Sequence, residues 1–135
     1  MIVVDASAMV LALADAGPAG QGARLHLGNH SPWCVPAHMP IEVVRTFIRQ
    51  ARAGLMPADE AHALAMQMHD GVGAAVVTMP ARDLLPAIWQ LHHTISPYDG
   101  AYVALAQTLD AALLTADRRL AKASTDLVAV IEVSS

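Results

Sequence analysis

Short runs of Val, Ile and Leu alternate with helical patterns along the whole chain, and this alternation constrains the fold more than any other feature. Buried strands that are joined by helices pair in parallel, so the pattern predicts an α/β domain in three layers. We expect a central, mainly parallel sheet of four to five strands flanked by helices. The predicted strands span residues 1–4, 33–35, 74–78, 111–114 and 127–133. The predicted helices span residues 7–14, 19–27, 40–52, 57–69, 83–93, 96–109 and 117–123.

Three local features refine these boundaries. Gly71 and Gly73 predict a loop before the third strand. Pro86 is compatible with a helix in its first turn, where its missing N–H costs no hydrogen bond, so we expect that helix to begin near Asp83. The helix over residues 96–109 is apolar on nearly every side, which predicts a position in the core.

Size and composition indicate one folded domain over residues 1–135, because the chain is 55% hydrophobic and only 15% charged. No apolar run reaches the roughly 18–20 residues that a membrane span needs. No basic segment precedes the strand-like Ile2, so we expect no signal peptide. Cys34 is the only cysteine, which excludes an intrachain disulfide and a cysteine-cluster zinc site. Together these features predict a cytoplasmic protein.

The distribution of charge is more informative than its total. A formal net charge of −4 argues against broad coating of nucleic acid. Six of the eight Lys and Arg residues nevertheless fall in two short windows, and each window directly follows an acid that begins a helical pattern. These residues are Arg45, Arg49, Arg52, Arg118, Arg119 and Lys122.

Four acids stand where an apolar run gives way to a helical pattern. They are Asp5, Glu42, Asp99 and Asp117. Each has a purely structural explanation when taken alone. Asp5 fits an N-cap, and Glu42 could pair with Arg45 three residues on. Asp99 fits a capping box with Ser96, and Asp117 suits the positive end of a helix dipole.

Taken together, the four acids predict a metal site. The carboxyl ends of parallel strands gather at one edge of a sheet, and Asp5 directly follows a buried strand. Buried carboxylates that lie close together are costly, because each loses water and repels the others. A divalent cation offsets both penalties, and oxygen ligands suit Mg²⁺ or Mn²⁺. This chemistry favours phosphodiester hydrolysis.

Four blocks in the sequence carry a resemblance to a known family. They are residues 2–8 (IVVDASA), 40–43 (PIEV), 96–106 (SPYDGAYVALA) and 114–121 (LTADRRLA). The chain resembles PIN-domain ribonucleases, in particular the VapC toxins of type II toxin–antitoxin systems. Gly100 departs from the Ala common at that position, which should loosen the helix slightly without affecting the chemistry.

The resemblance implies a PIN-like fold and a role for each acid. Asp5, Glu42, Asp99 and Asp117 would form the catalytic site. Asp5 and Asp99 would be direct metal ligands, Asp117 would bind a second ion or act through water, and Glu42 would ligate or position the attacking water. Ser7 and Thr115 would support these acids by hydrogen bonds, with helix capping as the alternative.

The implied activity is that of a toxin: metal-assisted cleavage of RNA with Mg²⁺ or Mn²⁺. The six clustered basic residues would hold flanking phosphates, or would form a solvated, salt-paired face. The resemblance also implies a homodimer and a cognate antitoxin whose extended segment occupies the acidic groove, often through an Arg. The seven histidines form no motif and are expected at helix surfaces or ends.

Other classes of protein fit less well. A receiver domain needs a phosphorylatable Asp after its middle strand, but Thr78, Met79 and Pro80 stand there. It also needs a Lys near its last strand, whereas Lys122 lies in a helical pattern. A haloacid-dehalogenase-like phosphatase needs a second Asp where this chain has Ser7. A catalytically silent PIN-like binding module remains the main alternative, although such a module typically lacks one of the acids.

Overall fold

The computed structural model describes residues 1–134 and contains one five-stranded sheet. Its strands are β1 (Ile2–Val4), β2 (Trp33–Pro36), β3 (Val76–Met79), β4 (Ala112–Thr115) and β5 (Val130–Glu132). They lie in the order β3-β2-β1-β4-β5, and every neighbouring pair is parallel. The parallel α/β fold predicted from the alternating sequence is therefore confirmed.

Eight helices connect the strands within the described residues. They are α1 (Ala6–Ala14), α2 (Pro18–Asn29), α3 (Met39–Arg52), α4 (Ala58–Met66), α5 (Val72–Ala75), α6 (Ala81–Gln90), α7 (Pro97–Leu109) and α8 (Arg118–Ser124). None of these helices is long and apolar enough to cross a membrane.

The strand order places a topological switch point between β1 and β4. The chain moves from β1 outward through β2 to β3, then returns across the sheet to β4 and β5. Because crossovers between parallel strands are right-handed, helices α1–α5 cover one face of the sheet and α6–α8 cover the other. The crevice at the carboxyl ends of β1 and β4 is where ligands bind in sheets of this kind.

The loop predicted at residues 71–73 is wrong. Residues 72–75 form the short helix α5, and β3 begins at Val76 rather than at residue 74. A Cβ atom at Gly73 would overlap the carbonyl oxygen of Met68, so the close approach of these two segments requires glycine. A pair of glycines predicts a loop, whereas Gly73 instead provides space for the Met68 carbonyl next to α5.

The position predicted for Pro86 is also wrong. Helix α6 begins at Ala81, which places Pro86 in its interior rather than in its first turn. The helix ends at Gln90 instead of residue 93, so His92 and His93 lie in the following turn. Helix α4 is likewise shorter than predicted, ending at Met66 rather than at residue 69.

Helix α7 lies in the core, as its apolar sequence predicts. Residues 100–106 are all buried, and the helix packs against β1, β2 and β4. Gly100 lies within this segment, and a Cβ atom there would meet side-chain atoms of Ile88 and Ile95 at 3.8 and 3.9 Å. These are ordinary van der Waals distances, so an alanine would fit without rearrangement.

Replacing Gly100 of α7 and Gly73 of α5 by alanine should change stability in opposite directions. Gly100→Ala should stabilise the fold by roughly 0.5–1 kcal/mol, because alanine is the better helix former and its methyl group has room. Gly73→Ala should destabilise it by roughly 1–3 kcal/mol, because the backbone near Met68 must move. Urea unfolding of the two variants beside the wild type measures both effects. Stabilisation by Gly73→Ala would contradict the packing described for α5.

Candidate active site

Four separate elements bring the four acids around one cavity of about 390 Å³. Asp5 follows β1 and Asp117 follows β4, so these two lie at the switch point of the sheet. Glu42 lies in the first turn of α3, and Asp99 lies in the first turn of α7. The structure thus collects all four predicted acids, while their individual catalytic roles stay predictions.

Asp5 is buried and has hydrogen bonds to both carboxylate oxygens. Ser7 Oγ and the Ala8 backbone N–H donate to Oδ1 at 2.6 and 3.0 Å, which makes Asp5 the N-cap of α1. Thr115 Oγ1, at the end of β4, donates to Oδ2 at 2.6 Å. Burial raises the pKa of Asp5 to about 6, the charge of Asp117 adds to this, and the three hydrogen bonds limit the rise.

Ser7 and Thr115 also connect Asp5 to the start of α8. The Ala116 N–H donates to Ser7 Oγ at 2.9 Å, and the Asp117 N–H donates to Thr115 Oγ1 at 3.0 Å. Each hydroxyl therefore accepts from the backbone after β4 while donating to Asp5. The N-caps of the adjoining helices are Asp5 and Asp117, so the hydroxyls support an acid rather than cap a helix.

Asp117 is the N-cap of α8, one position earlier than the first-turn place expected for it. Its Oδ1 accepts hydrogen bonds from the backbone N–H groups of Arg119 and Leu120 at 2.9 and 3.1 Å. Both bonds use the same oxygen. Capping consequently fixes the orientation of the carboxylate, while Oδ2 accepts none of the hydrogen bonds found within residues 1–134.

Asp99 is half-buried, and the capping box expected with Ser96 is absent. Ser96 is the N-cap of α7, but its side chain makes no capping hydrogen bond. Burial raises the pKa of Asp99, and the charges of Asp117 and Glu42 raise it further. The Ser96 side chain and the positive charge of Arg119 lower it by less. The pKa values of Asp5 and Asp99 are thus raised mainly by burial, with repulsion from neighbouring carboxylates as a smaller contribution.

Glu42 is held by two residues that sequence reasoning missed. Tyr102 Oη donates to Oε1 at 2.5 Å, and His38 Nε2 lies 3.2 Å from the same oxygen. Burial alone would raise the pKa of Glu42, but these two hydrogen bonds and the charges of His38 and Arg45 hold it below its usual value. The i, i+4 spacing of His38 and Glu42 is compatible with contact on one helix face, but the sequence analysis expects the histidines only at helix surfaces or ends.

The donors around the cavity fit a divalent cation of the Mg²⁺ type. They are carboxylate oxygens from four acids, and a bound cation would offset both the burial and the charge repulsion that raise the pKa values of Asp5 and Asp99. Within residues 1–134, no group of three or more Asp, Glu, His or Cys side chains is arranged to hold a metal ion by itself. Such a cation would be bound by one or two carboxylates together with water and substrate, as is usual for Mg²⁺.

The six predicted RNA-binding residues lie at different parts of the surface. Arg45 and Arg49 line the acidic cavity, and Arg119 lines a neighbouring cavity of about 380 Å³ that also borders on Asp99. Arg52 instead borders the apolar groove between α3 and α4. The other two residues are exposed on α8: Arg118, with its Nε 4.0 Å from Glu132 Oε1, and Lys122. A role in RNA binding stays a prediction for all six.

Comparison with known proteins assigns this fold and site to a family. The model of the PIN domain matches residues 2–125. Ribonuclease VapC9 of Mycobacterium tuberculosis is 40% identical over 124 residues, covering 89% of this chain and 88% of that protein. The chain therefore belongs to the PIN-domain family.

Solved structures share the same fold. The crystal structure of VapC20 from Mycobacterium tuberculosis, a toxin that cleaves the sarcin–ricin loop, superposes with a TM-score of 0.66 at 14% identity. That match covers 91% of this chain and 95% of VapC20. FitAcB from Neisseria gonorrhoeae gives a TM-score of 0.65 at 17% identity, with coverage of 97% and 96%. At these identities the likeness establishes the fold alone.

The raised pKa of Asp5 predicts a pH-dependent cost to stability. Because its folded pKa is about 6 and its ordinary value is 3.8, the native state holds a proton that the unfolded state releases. Stability should therefore fall as the pH rises from 4 to 7. Asp5→Asn should remove this penalty, which is on the order of 2–3 kcal/mol at pH 7.

Urea unfolding in EDTA at pH 4 and pH 7 measures this penalty, with the exposed Asp126→Asn as the matched control. Asp5→Asn should gain stability relative to wild type between the two pH values, and the control should not. An equal difference from wild type at both pH values would show that Asp5 ionises without a cost.

Proposed function

We propose that this protein is a metal-dependent endoribonuclease that acts as the toxin of a type II toxin–antitoxin pair. The observation that carries this proposal is the convergence of Asp5, Glu42, Asp99 and Asp117 on one cavity of a PIN domain. The proposal is supported by the ribonuclease VapC9 of Mycobacterium tuberculosis, which matches along most of its length. The chemistry is hydrolysis of an RNA phosphodiester bond.

The proposed cofactor is Mg²⁺ or Mn²⁺, with Asp5, Asp99 and Asp117 as its candidate ligands; one or two of these carboxylates would bind it directly and the others through water. Bound there, the ion would lower the pKa of a water molecule and stabilise charge on the phosphate oxygens. Ser7 and Thr115 fix both oxygens of Asp5 by hydrogen bonds, and the backbone of α8 fixes Asp117. Glu42 then orients the attacking water or adds a further carboxylate to the site.

The basic residues beside the cavity hold the RNA strand in this proposal. Arg45 and Arg49 project from the same helix as Glu42 and line the same cavity. Arg119 lies on the other side of Asp99. Phosphate contacts from both sides would position the scissile bond over the carboxylates while leaving base identity unread. Arg52, Arg118 and Lys122 would contact phosphates farther from the cut.

A cognate antitoxin is the proposed protein partner. Its segment would enter the acidic cavity and place an Arg among the carboxylates, because a guanidinium forms strong paired hydrogen bonds with carboxylate oxygens. We further propose a homodimer in the cytoplasm. The buried free thiol of Cys34 is compatible with a reducing compartment.

The alternative of a catalytically silent binding module has less support. Such a module has no use for four carboxylates around one cavity, because burial and, to a smaller extent, mutual repulsion raise the pKa values of Asp5 and Asp99. A surface that only binds RNA would favour positive groups in that position. The hydrogen bonds that fix Asp5 and Glu42 also favour a site in which carboxylate orientation matters.

Replacing single acids should slow cleavage strongly without unfolding the protein. Asp5→Asn and Asp99→Asn should each slow RNA cleavage by roughly 10²–10³-fold, because each removes charge that stabilises the transition state through the cation. Asp126→Asn serves as the control, since Asp126 is exposed. Cleavage of total RNA with Mg²⁺ or Mn²⁺, beside EDTA, provides the measurement. Full activity in EDTA, or in both cavity variants, would contradict the proposal.

Two arginines of α3 should differ in their effect on RNA binding. Arg49 lines the acidic cavity and Arg52 does not, so Arg49→Gln should weaken binding of single-stranded RNA more than Arg52→Gln. Arg49→Gln should also reduce the dependence of log K on log salt by about 0.7, the contribution of one phosphate contact on a single strand. Fluorescence anisotropy in Ca²⁺, across a series of salt concentrations, tests this. An equal loss in both variants would assign RNA contact to the whole helix face.

A further inference from the structure

Side chains from two different elements contact the same carboxylate oxygen of Glu42. Tyr102 reaches Oε1 from the middle of α7, and His38 reaches it from the N-cap of α3. The other oxygen, Oε2, accepts none of the hydrogen bonds found within residues 1–134. Because Glu42 also lines the acidic cavity, the carboxylate is held at one oxygen and is free to act through the other.

The contacts of His38 identify which of its nitrogens carries a proton. Nε2 lies 3.2 Å from Glu42 Oε1 and 3.1 Å from the backbone carbonyl oxygen of Tyr98. The Tyr98 carbonyl can only accept, so Nε2 must carry the hydrogen that it donates there. The same N–H edge lies 3.2 Å from Glu42 Oε1, close enough to attract that carboxylate whether the ring is neutral or charged.

The same histidine links the two helices that carry Glu42 and Asp99. Its ring packs against Tyr98 and Tyr102 of α7, with centroid distances of 5.4 and 5.1 Å. Tyr98 directly precedes Asp99, so the bond from His38 to the Tyr98 carbonyl fixes the backbone at that acid. Tyr102 is 2% exposed, which leaves its ring little freedom to move away from Glu42.

We propose that His38 and Tyr102 are positioning residues that hold Glu42 by Oε1, present Oε2 to the bound cation or its water, and set the spacing between Glu42 and Asp99. This inference rests on the proposed function, because it assigns the carboxylate a task in the same site. Glu42 then contributes its charge at a fixed place, and the hydroxyl and imidazole act only through it. Loss of either donor should weaken both cation binding and catalysis.

A double-mutant cycle on RNA cleavage tests whether Tyr102 acts through Glu42. Tyr102→Phe removes one hydroxyl and keeps the buried ring, and it should slow cleavage about 10- to 100-fold at a fixed Mn²⁺ concentration. In a Glu42→Gln background the same change should have little further effect. Thr108→Val is the matched control, since it also removes one hydroxyl from α7, at an exposed residue whose hydroxyl donates to the Ala104 carbonyl oxygen of the same helix; it should leave the rate unchanged.

The contribution of the His38 N–H can be tested by a conservative replacement. His38→Ala should reproduce the loss seen in Tyr102→Phe. His38→Gln retains an N–H donor near the position of Nε2 and should restore most of the rate. If His38→Gln is as impaired as His38→Ala while both fold with wild-type stability, the donor role is wrong.

Mn²⁺ binding in the absence of RNA separates this inference from the proposed function. Electron paramagnetic resonance titration of the free protein should show an affinity about tenfold lower in Tyr102→Phe, and an unchanged affinity in Thr108→Val. If the wild type binds Mn²⁺ but cleaves no RNA, the proposed activity fails while this inference stands on the affinities. Equal Mn²⁺ affinities in Tyr102→Phe and Thr108→Val, or additive losses in the cleavage cycle, would overturn the inference.

Discussion

The buried carboxylate of Asp5 is the constraint around which the rest of the structure is arranged. It lies at the end of β1, and it is supported by Ser7 from α1 and by Thr115 from the adjacent strand β4. The hydroxyls of those two residues also accept backbone N–H groups from the start of α8. One ionisable group thereby ties two neighbouring strands and two helix starts together. A carboxylate in such a place is costly unless each of its oxygens has donors, and here each does.

This arrangement explains how the acidic site could be anticipated from the sequence. A carboxylate directly after a buried parallel strand lies at the ligand-binding edge of the sheet, so the position of Asp5 was predictable, and Asp117 lies at the same edge two residues beyond β4. For Glu42 and Asp99, a first-turn position alone fits a purely structural role, so their place in the site rested on the family resemblance of residues 40–43 and 96–106. The alternating strands and helices were predictable for the same reason, since periodicity and length depend on local sequence. The exact ends of the helices were harder to predict: α4 ends at Met66 rather than at residue 69, and α6 begins at Ala81 rather than near Asp83.

The features that escaped prediction depend on three-dimensional packing, some of it between residues near in sequence and some between distant ones. The role of Gly73 is to admit the carbonyl of Met68, and two nearby glycines look the same in a sequence whether they form a loop or a close contact. Pro86 lies inside α6 because that helix starts earlier than local signals suggest. Tyr102 meets Glu42 across 60 residues, so no short-range pattern joins them. His38 had a weak signal in its spacing from Glu42, but only the position of α7 gives that spacing a meaning.

The acids of the cavity are held by two different means, and the difference bears on how they can act. Asp117 is held by two backbone N–H groups at the start of α8, and Asp5 by one backbone N–H of α1 together with the hydroxyls of Ser7 and Thr115, so helix starts fix at least part of both orientations. Glu42 is held by side chains that reach it from α7 and from the N-cap of α3, so its orientation can be altered by single substitutions that leave the sheet untouched. A carboxylate has about four acceptor positions, and Asp5 uses three of them within the protein, which leaves room for one further contact. In Glu42, Oε2 accepts none of the hydrogen bonds found within residues 1–134. Asp5 is therefore suited to anchor a cation rigidly, whereas Glu42 is suited to a partner, such as water, whose position changes during the reaction.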